Sequence, residues 1–151
     1  NGTIYNADYL FRRLGLPRYA EVDSELIFRL ADRFAPEGPI DHDGLKKALA
    51  LCRGQMSAVL ASRLDPGIIT VLKGNKPLCL RIHRQHRVVL YASEPAFIDF
   101  AVDNEKGWRE LEVPPMTMLT IRYEDVRAIE NSEFRFIPQE RKGTLPKGVN
   151  A

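Results

Sequence analysis

The change in hydrophobic periodicity near Gly54 is the feature that most constrains the fold of this chain. Upstream of Gly54, apolar residues recur at helical spacing in three segments, whereas downstream short runs of branched apolar residues alternate with turn sequences. Helical segments followed by a series of hairpins predict an α+β fold with a largely antiparallel sheet. A chain of 151 residues can bury one hydrophobic core without help from a metal or a disulfide.

The helical segments are delimited by capping and breaking residues. Asn6 is a suitable N-cap for the first helix, which ends at Gly15, and Asp23 can cap the second helix. A fourth helix is predicted to begin at Ser93 or Glu94, with a proline in its first turn. The apolar positions at helical spacing are Leu26, Ile27, Leu30, Ala31 and Phe34 in the second helix, Leu45, Ala48, Leu49 and Cys52 in the third, and Ala96, Phe97, Phe100 and Ala101 in the fourth.

The β-segments are short and are separated by sequences typical of turns. Asp65-Pro66-Gly67 and Gly74-Asn75 divide the first of them, which favours antiparallel hairpins. The predicted strands cover residues 55–62, 68–72, 78–82 and 88–92 before the fourth helix, and 109–113, 116–123, 126–129 and 134–137 after it. Residues 1–139 form the predicted domain, and residues 140–151, which have no periodicity, are predicted to be a flexible tail.

Composition excludes several classes of function. The formal net charge is only +2, which gives no general attraction to nucleic acid or to an anionic membrane. No apolar run approaches the ~20 residues of a transmembrane helix, and the polar start of the sequence is not a secretory signal. Cys52 and Cys79 lie in apolar surroundings without metal-ligand spacing, which predicts buried thiols in a reducing compartment, the cytoplasm.

Two polar segments near the start of the chain have groups suited to binding charged atoms. The Asn1 side-chain amide and the Gly2 backbone N–H are donors of the kind that stabilise an oxyanion, whereas the Asp23 carboxylate can bind an ammonium group. The residues alone also allow simpler interpretations, in which Asn1-Gly2 forms a turn or a frayed terminus and Asp23 caps a helix.

Five short motifs occur in a defined order along the chain. They are Asn1-Gly2-Thr3-Ile4-Tyr5-Asn6, Asp23-Ser24-Glu25-Leu26-Ile27, Arg53-Gly54, Lys76-Pro77-Leu78 and Tyr91-Ala92-Ser93-Glu94. In this order the sequence resembles the class II glutamine amidotransferases, over about residues 1–125. It is similar to the second part of the glutaminase domain found in glucosamine 6-phosphate synthase and its relatives. Each motif is short, so their order carries the specificity.

The resemblance implies both a fold and an activity. The fold is a four-layer αββα sandwich of the N-terminal-nucleophile hydrolase type with antiparallel sheets, of which this chain holds a part. The activity is hydrolysis of L-glutamine to glutamate, with transfer of ammonia to an acceptor and without a cofactor. The resemblance assigns Asn1 and Gly2 to the oxyanion hole and Asp23 to the α-amino group of bound L-glutamine.

The nucleophile of that family is an N-terminal cysteine, which the resemblance places upstream of Asn1. Cys52 is not a replacement, because it is predicted to lie on the apolar face of the third helix without a histidine within a turn. We therefore expect this chain alone to bind glutamine without hydrolysing it. The expected partners are the first half of the domain, a synthase domain or a second copy of the chain, because incomplete sheet edges favour association.

The segment 81–87, Arg-Ile-His-Arg-Gln-His-Arg, supports a different hypothesis, a non-catalytic binding module for an anionic ligand. Its basic side chains surround a predicted hairpin tip and can hold a phosphate group, although charged hairpin edges also guard against aggregation. The segment lacks the interleaved aromatic residues that stack on bases, which argues against nucleic acid. His83 and His86 are predicted to face opposite sides of a strand, so no metal site is expected.

Overall fold

The computed structural model describes residues 1–103 and 105–140, and this part of the chain contains four helices and ten strands. The helices are α1 (Ala7–Leu14), α2 (Glu25–Arg33), α3 (His42–Leu49) and α4 (Pro95–Val102). The strands are β1 (Gly2–Ile4), β2 (Arg53–Met56), β3 (Ala58–Ser62), β4 (Asp65–Lys73), β5 (Cys79–His83), β6 (Val88–Ala92), β7 (Trp108–Glu110), β8 (Thr117–Arg122), β9 (Ile129–Glu133) and β10 (Ile137–Pro138). The predicted tail falls outside the described residues from position 141 onward. Within the described residues, none of the helices has the length and hydropathy needed to cross a bilayer.

The strands form three sheets, with the orders β1-β2-β10, β3-β4-β8-β9 and β6-β5-β7. Neighbouring strands in the described sheets run antiparallel, apart from β2 and β10, which are parallel. Hairpins join β3 to β4, β5 to β6 and β8 to β9. The mixed α+β architecture with largely antiparallel sheets, predicted from the sequence, is therefore confirmed.

Local sequence explains most helix boundaries. Gly15 adopts the left-handed conformation and ends α1, with its N–H directed at carbonyl oxygens of the last turn. Asp41 caps α3 by accepting hydrogen bonds from two backbone N–H groups of the first turn, at 3.0 and 3.1 Å. At the start of α2 the N-cap position belongs to Ser24, so the interpretation of Asp23 as a helix cap is wrong.

The first β-segments differ from the prediction in two ways. The sequence predicts no strand before the first helix, yet β1 pairs with β2. A single strand is predicted over residues 55–62, but Ser57 divides it into β2 and β3, which belong to different sheets. The Ser57 hydroxyl accepts a hydrogen bond from the Gly74 N–H at 3.1 Å and lies 2.7 Å from the Lys76 carbonyl oxygen. Because these partners are distant in sequence, the local pattern does not reveal the break.

The sheet β3-β4-β8-β9 buries apolar side chains on both faces. One face belongs to a cluster shared with α1, α2 and α3, and the other face belongs to a second cluster shared with β5. The sheet residues are Leu60, Leu72 and Met118 in the first cluster and Val71, Leu119 and Ile121 in the second, where they are joined by Leu80 and Ile82 of β5.

Helix α4 packs against β6 with a different face from the one indicated by its apolar pattern. Its buried residues are Ile98 and Val102, whereas Phe97 and Phe100 are 60% and 89% exposed. The prediction of the helix is confirmed, but the aromatic positions used to predict it lie on the exposed side.

Candidate substrate pocket

The edge strand β1 forms one wall of a pocket near the start of the chain. The pocket has a volume of about 220 Å³ and is lined by residues of β1, β2, β3 and the start of α2. Asn1, Gly2 and Asp23, the residues predicted to bind substrate, all line it. The side chains of Ile27 and Val59 contribute apolar lining. Three residues selected from two separate sequence motifs therefore lie around one cavity.

The hydrogen bonds between β1 and β2 orient the backbone N–H groups of β1. The Asn1 nitrogen donates to the Ser57 carbonyl oxygen at 2.9 Å, and the Ser57 N–H donates to the Asn1 carbonyl oxygen at 2.8 Å. Hydrogen-bonded and non-hydrogen-bonded pairs alternate in an antiparallel ladder, so Gly2, opposite Met56, is in a non-hydrogen-bonded pair. The Gly2 N–H therefore points away from β2, toward the same free edge as the Ile4 N–H.

Asp23 lies along this free edge, two residues before α2. Its carboxylate accepts a hydrogen bond from the Ile4 N–H. An ionised carboxylate has about four acceptor positions, so Asp23 keeps capacity for a further donor. Since Gly2 and Ile4 are separated by about 6–7 Å along the strand, a ligand of amino-acid size can reach both the Gly2 N–H and the Asp23 carboxylate.

Glycines at positions 2 and 54 allow β1 and β2 to approach closely. Gly2 has a φ of +138°, and a Cβ at this position would overlap the Gln55 carbonyl oxygen. Gly54 has a φ of +146°, and its Cβ would overlap the Thr3 carbonyl oxygen. A side chain at either position would displace β1, and the Gly2 N–H with it.

Glu25, to which the sequence analysis assigns no role, fixes the backbone in front of Asp23. Its carboxylate accepts hydrogen bonds from the Tyr19 N–H at 2.9 Å, the Ala20 N–H at 2.7 Å and the Arg29 Nε at 2.9 Å. Burial raises the pKa of the Glu25 carboxyl, but hydrogen bonds from two backbone N–H groups and the Arg29 guanidinium outweigh it and hold the pKa below its usual value. The sequence feature that could have indicated this role is Arg29, four residues later on the same helix, because oppositely charged side chains at this spacing can pair.

The two cysteines differ in their surroundings. Cys52, after the end of α3, is fully buried, and burial raises the pKa of its thiol to about 12. Cys79, at the start of β5, is half-buried. The prediction of a core thiol is confirmed for Cys52 and holds only in part for Cys79.

This difference predicts selective alkylation of the native protein. We expect iodoacetamide at pH 8 to modify Cys79 and to leave Cys52 unmodified, because the thiolate is the reactive species and the Cys52 thiol is both buried and protonated. Peptide mass spectrometry measures the two sites separately. Treatment in denaturant, where both cysteines should react, controls for peptide detection. Modification of Cys52 in the native protein as fast as Cys79 would contradict the prediction.

The basic segment 81–87 does not present its cations as one cluster. Arg81 pairs with Asp99 of α4. The Arg87 guanidinium lies 6.0 Å from the centre of the Tyr123 ring. These contacts direct the two arginines toward different neighbours, so the geometry does not favour a common phosphate site over a solvated hairpin.

The structure corrects the expected orientation of the two histidines in this segment. His83 is the last residue of β5, but His86 lies in the turn that follows, where the alternation of side chains along a strand does not apply. Their ring centroids are only 4.2 Å apart. The reasoning that excluded a metal site, that these side chains face opposite sides of a strand, is therefore wrong.

The fold is similar to that of a solved glutamine aminotransferase domain. No family model and no curated protein matches the chain. Among solved structures, a glutamine aminotransferase class-II domain protein from Silicibacter pomeroyi matches with a TM-score of 0.53 and 20% sequence identity. The match covers 93% of this chain, which spans 66% of the length of that protein. At this identity the similarity shows the fold, so the chain has a glutamine amidotransferase-like fold.

Proposed function

We propose that this chain is the glutamine-binding part of a class II glutaminase domain. The observation that carries the proposal is the pocket lined jointly by Asn1, Gly2 and Asp23. These are positions at which the sequence resembles that family, and the fold similarity supports the same assignment.

Each of the three residues has its own role toward L-glutamine. The Asp23 carboxylate binds the α-ammonium group, and the Gly2 N–H and the Asn1 side-chain amide donate to the carbonyl oxygen of the substrate's side chain. When a thiolate attacks that carbonyl carbon, negative charge develops on the oxygen and two fixed donors stabilise it. The direction of the Gly2 N–H supports this role, because Asp23 lies along the same edge of β1.

The attacking thiol belongs to an N-terminal cysteine, which we place in a segment upstream of Asn1. The thioester formed on it is hydrolysed by water to release glutamate, and the ammonia passes to an acceptor. Cys52 does not take this role, because it is buried and the pKa of its thiol is raised to about 12. In this proposal the catalytic partner is the first half of the domain, joined by a synthase domain or a second copy of the chain.

The proposed domain is a four-layer αββα sandwich, of which this chain forms a part. Its layers are α1 to α3, the sheet β3-β4-β8-β9, the sheet β6-β5-β7 and α4. The apolar clusters on opposite faces of the four-stranded sheet support this order. The position of α4 on the outer side is supported by the pairing of Asp99 with Arg81, which alternates along β5 with the inward-facing Leu80 and Ile82.

The Asp23→Asn substitution tests the proposed pocket. The variant keeps an oxygen for the Ile4 N–H but loses the charge that attracts an ammonium group. A charge-assisted hydrogen bond contributes about 1.5–3 kcal/mol, so we expect the affinity for L-glutamine to fall about ten- to hundredfold. Isothermal titration calorimetry with the unmodified chain and the variant measures this change, with D-glutamine as a stereochemical control.

Two further variants serve as controls for this experiment. Asp8→Asn removes a carboxylate that is 69% exposed on α1, outside the pocket, and should leave glutamine affinity unchanged. Arg84→Ala, in the basic hairpin, should also leave it unchanged. Equal glutamine binding by the unmodified chain and Asp23→Asn, or no binding by either, would overturn the proposal. Phosphate binding that is lost in Arg84→Ala, without glutamine binding, would replace it with the anion-binding hypothesis.

A further inference from the structure

We propose that His83, His86 and Glu105 form a zinc-binding site at the end of the sheet β6-β5-β7. One nitrogen of each imidazole and one carboxylate oxygen lie within 4.8 Å of one another. Two imidazoles and one carboxylate are a ligand set that Zn²⁺ accepts readily, with a fourth position left for water. The site is separate from the glutamine pocket, and the proposal does not depend on glutamine binding.

Three different elements bring these side chains together. His83 ends β5, His86 lies in the turn to β6, and Glu105 lies between α4 and β7. In the register of β5 and β7, His83 is opposite Trp108, and the two rings meet edge to face with centroids 5.2 Å apart. The cluster is thus fixed by sheet pairing and by a hairpin turn, neither of which follows from sequence spacing.

His83 is held in one orientation before any metal binds. The residue is 3% exposed, its Nδ1 accepts a hydrogen bond from the His86 N–H at 3.2 Å, and its Nε2 lies 3.2 Å from the Lys106 carbonyl oxygen. A neutral imidazole has one donor and one acceptor, so Nε2 carries the proton and Nδ1 carries the lone pair. Metal-bound histidines commonly donate their other ring N–H to a backbone carbonyl in this way.

The surroundings of the cluster also favour a preformed site. A Cβ at Gly107 would overlap the His83 ring, so glycine at this position lets the backbone pass against the imidazole. The Trp108 indole N–H donates to a Glu105 carboxylate oxygen at 3.1 Å. This hydrogen bond orients the Glu105 carboxylate and leaves its other oxygen for a metal.

The remaining ligands are placed so that the site can close around an ion. Ligand atoms in a tetrahedral zinc site are about 3.3 Å apart, given Zn–N distances of ~2.0–2.1 Å. His86 and Glu105 are exposed, so their side chains have room to change rotamer and shorten the present separations. Zinc would then take the Nδ1 lone pair of His83, which also requires the turn at His86 to shift so that its backbone N–H releases that nitrogen.

The charge distribution near the cluster permits a divalent cation. Arg81, which shares the face of β5 with His83, is neutralised by Asp99. Arg109 follows Trp108 on β7 and, by strand alternation, is directed to the opposite face of the sheet. Lys106 and Arg84 are exposed, where water and salt screen their charges.

The test uses the whole chain without a histidine tag. Zinc chloride is titrated at neutral pH by calorimetry, and Co²⁺ is used as a spectroscopic substitute whose visible bands report a tetrahedral site. We expect one zinc ion per chain, and an affinity that falls at least about tenfold in His86→Ala and in Glu105→Gln, because each removes a ligand. Both substituted residues are exposed, so these variants should keep the fold.

A matched variant and a ring-specific measurement make the test decisive. Glu110→Gln removes an exposed carboxylate two residues beyond Trp108 on β7 and should leave zinc affinity unchanged. Imidazole ¹⁵N chemical shifts should change at His83 Nδ1 on zinc binding, while Nε2 stays protonated. No stoichiometric binding, equal loss of affinity in Glu110→Gln, or unchanged affinity in both ligand variants would overturn the proposal.

Discussion

Gly54→Ala is expected to lower the free energy of unfolding by about 3 kcal/mol or more. A residue with a side chain at a φ of +146° is strained, which by itself costs on the order of 1–3 kcal/mol. The added Cβ would also overlap the Thr3 carbonyl oxygen, so β1 must separate from β2. Loss of that pairing raises the expected change in unfolding free energy above that of a typical point substitution. Urea denaturation followed by circular dichroism measures it.

Gly67→Ala is the matched control for this experiment. Gly67 lies in β4, and a Cβ at this position would have no heavy atom within 4 Å. We expect the change in unfolding free energy to stay within about 0.5 kcal/mol. If Gly54→Ala is as stable as Gly67→Ala, the close approach of β1 to β2 does not hold in solution, and the proposed orientation of the Gly2 N–H fails with it.

Leu30→Ala is expected to destabilise the protein by about 2–5 kcal/mol. Leu30 lies on α2, has 0% exposure and belongs to the cluster beneath the three N-terminal helices. Removal of its side chain loses the transfer free energy of the buried methyl and methylene groups and leaves a cavity that close-packed neighbours fill only partly. The unfolding free energy from urea denaturation is again the measured quantity.

Phe100→Ala provides the opposite case. Phe100 is larger than Leu30, but it is 89% exposed on α4. We expect its replacement to change the free energy of unfolding by less than about 0.5 kcal/mol. A large destabilisation by Phe100→Ala in the isolated chain, or a negligible one by Leu30→Ala, would show that the assignment of buried and exposed helix faces is wrong.

The contrast between these two residues shows what the sequence could predict about the fold. Amphipathic periodicity located α2 and its buried face because charged residues occupy most of the opposite side of that helix, where Phe28 is the apolar exception. In α4 nearly every residue is apolar, so the pattern predicted the helix correctly but indicated the face of Phe97 and Phe100, which the structure leaves exposed. That choice depends on packing against β6 and on the ion pair with β5, which are tertiary contacts.

The candidate sites, like the helices, were predictable from the sequence only in part. The order of short motifs predicted a site at Asn1, Gly2 and Asp23, which line one pocket in the structure, but the hydrogen bond from the Ile4 N–H to Asp23 is visible only in the three-dimensional fold. The role of Glu25 was missed because its partners are backbone N–H groups, which every sequence contains. The histidine cluster was missed because a turn, rather than a longer strand, follows His83.

The sheet β1-β2-β10 has a consequence for the order of folding events. Its strands come from residues 2–4, 53–56 and 137–138, so their pairing closes two long loops. Ile137 N–H donates to the Cys52 carbonyl oxygen at 2.9 Å, and Gln139 N–H donates to the Gly54 carbonyl oxygen at 2.9 Å. Contacts of such high sequence separation are expected to form after local hairpins such as β5 to β6. During synthesis on the ribosome, the three-stranded sheet that includes Gly2 can therefore become complete only after residue 138 has left the exit tunnel.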